Sequence, residues 1–397
     1  WRRDTFAPDG TLVRIQFIDR ESREARNEVY LRSDGRVGIL HQYRETGDAR
    51  TLHRIVLLDK DGHVKAEFSS MDQWVEHWLE EIVSRACSDV LFVIDKNRIY
   101  LKAAMRLRQR MGVFDDVFGK QRRLAIVPIV HAVHTQGTGG QGRGTVMSAP
   151  TNTNYQAILE NPGCADAIVA GTRTQREDIE TRYHATNVFA IPHAFTQIKS
   201  VGVSDRACDR VWNRIVCVGR YSKEKNLGLA IEIFAQVHRQ HPDARLEFYG
   251  AGAQREAMIG QTQLLGMESV VKVNDYADDI ATIYATAGLS ILTSSGEGFP
   301  LSIMESLSGG CPVVAFDVRY GPADMIEHGK SGFLIPPGED DAFAKSMDRL
   351  LADRAMHKQM SRDAMLRANQ FSASNVESAW RGLLVDRLDL NLDADIR

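Results

Sequence analysis

The spacing of apolar and polar positions changes character twice along the chain. From about residue 8 to 70, short alternating segments are separated by Asp-Gly pairs: Pro8-Asp9-Gly10 precedes Thr11 to Ile18, Ser33-Asp34-Gly35 precedes Arg36 to Leu40, and Lys60-Asp61-Gly62 precedes His63 to Phe68. Asp-Gly between alternating segments signals a hairpin, because the turn needs positive φ. The pattern predicts an antiparallel β-meander. A sheet of this size leaves edges and one face uncovered, so it must pack on helices or pair with another subunit. From Met71 to about Ala86 the period lengthens, with Trp74, Trp78 and Ile82 at four-residue steps, which predicts an amphipathic helix with its indoles toward a core.

Beyond that helix, unbroken apolar runs alternate with helical segments. Residues 89–95, 124–130, 165–172 and 188–193 read as buried parallel strands, with helices over 98–111 and 175–183. The polar stretch 196–210 reads as a linker. A second series follows: strands at 214–219, 245–250, 269–273, 289–293, 312–316 and 332–336, and helices at 226–240, 254–265, 280–286, 301–308 and onward to about Trp380. This predicts an α/β chain divided as 1–70 (meander), 71–195 (one Rossmann-like domain), 196–378 (a second) and 379–397 (tail). The second domain is complete. The first lacks the opening strand and glycine loop of such a domain, so roughly a hundred residues are expected before Trp1.

Composition narrows the class. A hydrophobic content of 43% with no apolar run near ~18 residues predicts a globular protein whose membrane contact is at most peripheral. Forty-nine Lys+Arg against 52 Asp+Glu, a formal net charge of -3, give no global attraction to nucleic acid. Five scattered cysteines (Cys87, Cys164, Cys208, Cys217, Cys311) without C-x-x-C spacing read as reduced core thiols of a cytoplasmic protein.

The candidate chemistry gathers in the second half. Glu297-Gly-Phe-Pro-Leu-Ser-Ile-Met-Glu305 sets two carboxylates on either side of a turn that opens a helix, and Gly309-Gly310 ends it. Pro300 fits the first turn, where its missing N–H would have been unpaired. The free N–H groups and positive dipole end of that helix suit a phosphate or a sugar hydroxyl, and Glu305 is expected two helical turns along the same face from Glu297. Arg220 and Lys225, in Val218-Gly-Arg-Tyr-Ser-Lys-Glu-Lys-Asn226, leave a strand and enter a helix; two cations there offset the charge of a departing diphosphate. Gly250 and Gly252 form a tight turn that lets backbone approach a nucleotide. In the first half, His131-Ala-Val-His134 sits at a strand's carboxyl end, where ligands bind open α/β sheets. With no third ligand in view, it does not read as a metal site. Residues 137–144 form a glycine-rich loop without the Lys-Ser/Thr of a Walker motif. Arg98, Lys102, Arg106 and Arg110 fall at i+4 steps and form a basic stripe that fits a polyanion or a solvated face.

These motifs, with Gly310-Cys-Pro-Val-Val-Ala-Phe-Asp317 and Tyr320-Gly-Pro322, resemble the donor half of a retaining glycosyltransferase of family 4 with the GT-B fold. The meander, then an insertion in the first domain, the His-Ala-x-His segment and Thr172 with Gln175 resemble a subgroup containing poly(polyol-phosphate) α-glycosyltransferases of wall teichoic acid and O-GlcNAc transferases of serine-rich adhesins. The resemblance implies a UDP-sugar donor carrying glucose or GlcNAc. It implies His131, Glu297, Arg220 and Lys225 as catalytic residues, and donor contacts at Gly219, Gly250, Gly252, Tyr276, Gly298, Phe299, Leu301, Ser302 and Glu305. His134, Arg98, Lys102, Arg106 and Arg110 would meet the acceptor, either a polyol-phosphate polymer or a Ser/Thr-rich protein. No D-x-D lies at a strand end, Asp393-Ala-Asp395 being in the tail, so no metal and no cofactor is expected. The meander is expected to join a homo-oligomer or to dock the acceptor. The rival readings are a noncatalytic partner subunit of the same fold and a phosphorylase with lysine-bound pyridoxal phosphate.

Overall fold

The computed structural model describes residues 1–46, 49–136, 147–195 and 210–390. The expected glycine-rich loop, linker, Cys208 and tail Asp-x-Asp lie wholly or largely outside them. The chain forms two compact units, 1–126 and 127–390, whose seam falls inside one strand.

The first unit opens with six strands, β1 (Arg2–Phe6), β2 (Leu12–Ile18), β3 (Ala25–Leu31), β4 (Val37–Thr46), β5 (Ala49–Leu58) and β6 (Val64–Phe68), paired in chain order as an antiparallel sheet. Gly10, Gly35 and Gly62 hold φ of 85°, 80° and 86° at the three turns, as the Asp-Gly signals require. Helix α1 (Met71–Ser84) packs on β5 and β6 and against α2 (Asn97–Met111), with Val75, Leu79 and Val83 buried. The expected core row of Trp74, Trp78 and Ile82 is one position off. Trp78 and Ile82 are exposed and Trp74 is half-buried edge-on to His41, because the smaller aliphatic row gives the closer approach to sheet and helix. Of the expected core thiols, Cys217 and Cys311 are buried but Cys87 and Cys164 are exposed.

Strand β7 (Val90–Ile94) is half-exposed where a fully buried strand was expected, because it lies at the end of a sheet ordered β11-β10-β9-β7. Its other members are β9 (Gln121–Val130), β10 (Ile168–Ala170) and β11 (Val188–Ala190), and β8 (Val113–Asp115) pairs antiparallel with β9. Helix α3 (Arg173–Tyr183) connects β10 to β11, which run parallel.

The rest of the second unit is a parallel sheet ordered β14-β13-β12-β15-β16-β17, the doubly wound arrangement. It is built from β12 (Val211–Val218), α4 (Leu227–His238), β13 (Arg245–Tyr249), α5 (Arg255–Leu264), β14 (Val271–Asn274), α6 (Ile280–Thr286), β15 (Ala287–Leu292), α7 (Leu301–Ser308), β16 (Val313–Phe316), the single turn α8 (Pro322–Met325), β17 (Gly332–Ile335), α9 (Asp340–Ala352), α10 (Arg354–Asn369) and α11 (Ala373–Arg381). Strand side chains alternate between two cores: Ile215, Leu246, Phe248 and Val314 meet Phe234, Phe343 and Met347, whereas Val313 and Ala315 meet Ile303, Met304 and Leu307. Both faces are covered, so the loops at the strands' carboxyl ends are what remains to meet a ligand.

Candidate functional site

The loop after β12 is fixed by its neighbours. Gly219 N–H donates to the Tyr249 carbonyl (3.0 Å), and Tyr221 N–H to that of Ala251 (2.8 Å). A Cβ at Gly250 would fall 1.9 Å from the Gly219 carbonyl oxygen, and one at Gly252 2.4 Å from that of Tyr221. These glycines therefore make room for the adjoining loop, a different reason for glycine than the approach of a nucleotide. On the other side, Thr293 Oγ donates to the carbonyls of Lys225 (3.1 Å) and Asn226 (3.2 Å), while Ser295 N–H donates to that of Glu224 (2.7 Å). The loops after β12 and β15 thus form one piece.

Within it Lys225 Nζ lies 2.5 Å from Glu297 Oε1, the two side chains 18% and 10% exposed. Glu297 is held through its main chain, its N–H donating to the Arg319 carbonyl (3.0 Å) and its carbonyl accepting from Tyr320 N–H (2.5 Å). Next to it, a Cβ on Gly298 would lie 1.9 Å from the His131 carbonyl oxygen, so only glycine lets this loop abut the end of β9. The result is a cavity of about 490 Å³ lined by Arg220, Lys225, Glu297 and Gly298, with Glu224, Ser295 and Gly296, and by Ala132, Val133, Thr135 and Asn152 across from them.

Other expected residues fall elsewhere. Glu297 precedes α7, so the two carboxylates do not share a helical face; Glu305 sits on α7, half-buried, with burial raising its pKa above the carboxylate norm. Pro300 is the N-cap of α7 and no side chain caps this end. Leu301 is exposed and Ser302 half-exposed in the first turn. The Phe299 ring is buried edge-on to His193 and Phe371, so only its backbone is available to a ligand. Tyr276, expected beside a base, is 74% exposed, because it follows β14, the edge strand of its sheet. The His131 ring stacks on that of His193, with centroids 5.2 Å apart and Nδ1 3.4 Å from His193 Nε2.

His134, expected at the acceptor, is closed off from solvent. It is fully buried and stacked on Tyr320, with no hydrogen bond to either ring nitrogen among the described residues, and burial, aided by Arg182 and Arg319, lowers its pKa to about 3. The basic stripe on α2 is half neutralised: Arg106 Nε lies 2.7 Å from Glu76, and Arg110 lies 3.0 Å from Glu76 and 3.1 Å from Glu80, whereas Arg98 and Lys102 are exposed. Among the described residues no group of three His, Cys, Asp or Glu is placed to hold a metal, and no helix is long and apolar enough to cross a membrane.

Glu224, Ser295, Thr135 and Asn152 were not singled out from sequence. The first two flank residues that were, so adjacency to Lys225 and Glu297 was an available signal. Asn152 follows a stretch without periodicity and gave none.

Residues 212–367 match the family described as Glycosyl transferases group 1. The chain is 23% identical over 398 residues to a poly(glycerol-phosphate) alpha-glucosyltransferase of Bacillus subtilis, covering 99% of this chain and 55% of that protein, so it spans about half the relative's length. Its fold matches the crystal structure of TarM with a TM-score of 0.70 at 20% identity, over 96% of this chain and 72% of that one. It also matches the pneumococcal O-GlcNAc transferase GtfA, solved with UDP and GlcNAc, with a TM-score of 0.68 at 16% identity, over 98% of this chain and 81% of that one. The fold is GT-B.

Proposed function

From a chain whose residues 212–367 form a group 1 glycosyl transferase segment on a GT-B fold, we propose a retaining, UDP-sugar-dependent hexosyltransferase. The observation that carries this reading is the convergence of Arg220, Lys225 and Glu297 in one polar cavity beside the end of β9. Arg220 and Lys225 take the diphosphate, Lys225 sharing its charge between phosphate and Glu297. Gly219, Gly298 and the free N–H groups at the start of α7 line its path, and Glu305 takes ribose hydroxyls. In the transfer the bond from the hexose anomeric carbon to UDP breaks, the acceptor oxygen bonds to the same face, and the acceptor proton passes to the departing phosphate. The two cations stabilise the charge that gathers on that phosphate. His131 stands beside the sugar. No metal or cofactor enters this scheme.

The acceptor proposed is a polyol-phosphate polymer such as wall teichoic acid, on the strength of the B. subtilis relative. Arg106 and Arg110, engaged by glutamates, lend it little. A Ser/Thr-rich protein acceptor is the second reading, favoured by the likeness to GtfA. The proposal includes action in the cytoplasm and a homo-oligomer joined through the meander, where Phe6 and Phe17 are exposed at the β1–β2 edge. The test is UDP release from a panel of UDP-sugars with teichoic acid or a Ser-rich peptide as acceptor, with the anomeric configuration of the product read by NMR. A retained α-configuration on the polymer is expected. Transfer to peptide alone moves the reading to its second form, and no turnover with any donor overturns it.

A further inference from the structure

Helix α3 carries three tethers that the proposed chemistry does not use. At its start the Asp324 carboxylate accepts from Arg173 N–H (2.9 Å) and Thr174 Oγ (2.7 Å). One turn in, Gln175 Nε2 donates to the Ala132 carbonyl (2.7 Å), on the cavity wall. In its middle, Asp178, 1% exposed, accepts from Tyr320 Oη (3.0 Å) and lies 2.9 Å from Arg319 Nη1. Arg319 and Tyr320 are the residues whose main chain brackets Glu297 from both sides. The connection therefore runs from α3 through Asp178 to Arg319 and Tyr320, then to Glu297 and Lys225. A parallel branch runs from Gln175 to the opposite wall.

A buried carboxylate is a costly way to hold a helix, since an apolar side chain of similar volume packs there at no electrostatic penalty. What the carboxylate adds is a shared anchor: one oxygen accepts from the Tyr320 hydroxyl and meets the charge of the adjacent Arg319 guanidinium without a hydrogen bond. We infer that Asp178 is a positioning residue that sets the Glu297 loop at its working distance from the Ala132–Val133 wall, with α3 as the common rod. The inference rests on the functional reading above for its kinetic consequence but not for its geometry.

The test uses two variants of the full chain. Asp178→Asn keeps an acceptor for Tyr320 but drops the ion pair, and Tyr320→Phe drops the hydroxyl but keeps Asp178 with Arg319. Tyr320→Phe is expected to melt near the wild-type temperature, whereas Asp178→Asn, which leaves the Arg319 guanidinium without its anion, should melt lower. Turnover number should fall about 10- to 100-fold, the scale of a misplacement near 1 Å, while KM for the donor moves less than about twofold. Hydrogen exchange at the Glu297 and Tyr320 amides should quicken without change in the β12–β13 core. Unchanged exchange at those amides with wild-type turnover overturns the inference, as does a general loss of protection in which kcat and KM fail together. Should the wild type transfer no sugar, the functional reading fails by itself, and amide exchange at Glu297 and Tyr320 still decides whether Asp178 holds the loop.

Discussion

Lys225 and Glu297 are a mostly buried ion pair, and neither charge would be tolerated there alone. Truncating Lys225 leaves a carboxylate without its cation, a loss of about 3–5 kcal/mol. Lys225→Ala is therefore expected to lower both the melting temperature and UDP release. Lys225→Ala combined with Glu297→Gln should regain most of the stability and none of the turnover, which thermal melts and UDP release on the same samples would separate. Three histidines set an acid limit. His134, His357 and His41 are buried, and burial lowers the first to about 3, the second to about 4 and the third below its ordinary value despite Glu28 nearby. Their folded-state values lie below the ~6.5 of the unfolded chain, so the unfolded state binds more protons between those limits. Their stabilisation is complete above about pH 6.5 and is lost as pH falls toward 3. Denaturant melts should show stability falling on moving from pH 7 to pH 4, by about 3 kcal/mol for His134 alone, with His134→Phe blunting the slope.

At the scale of elements, the loops decide more than the strands they leave. Gly250→Ala would drive a methyl into the Gly219 carbonyl, and is expected to cost at least about 2–3 kcal/mol and to displace Lys225 with its loop. Gly10→Ala, with open space around it and a positive φ, should cost only about 1 kcal/mol; melts of the two variants test the contrast. The strands and helices were legible in sequence because continuous apolar runs and 3.6-residue spacing have few alternatives: α6 was expected at 280–286 and lies there. The side a helix buries was less so. In α1 the large residues Trp74 and Trp78 outweigh Val75, Leu79 and Val83 in any pattern, yet closeness of packing, a property of the neighbours, favours the smaller row. The E-x7-E spacing likewise pointed to one helical face, whereas α7 begins four residues after Glu297 and the glutamate is held by a loop. Arg106 and Arg110 read as a stripe because their partners Glu76 and Glu80 lie on another helix, thirty residues away.

On the scale of the molecule, the chain divides into two compact units, one with the antiparallel meander and its helices, the other with the doubly wound sheet and the candidate site. Arg220, Lys225 and Glu297 were recoverable from sequence as a group because the carboxyl ends of β12 and β15 are neighbours in any sheet of this order. The α3 tethers were not, since Asp178 is over a hundred residues from Arg319 and no local spacing relates them. The central claim is that two cations of the second unit bind a diphosphate. Its most direct test is UDP affinity by calorimetry for wild type, Arg220→Ala and the Lys225→Ala, Glu297→Gln double variant, at low and high salt. Binding is expected to weaken at least about tenfold in each variant, with a shallower salt dependence than wild type. Wild-type affinity in both variants, or no UDP binding by the intact chain, would contradict it.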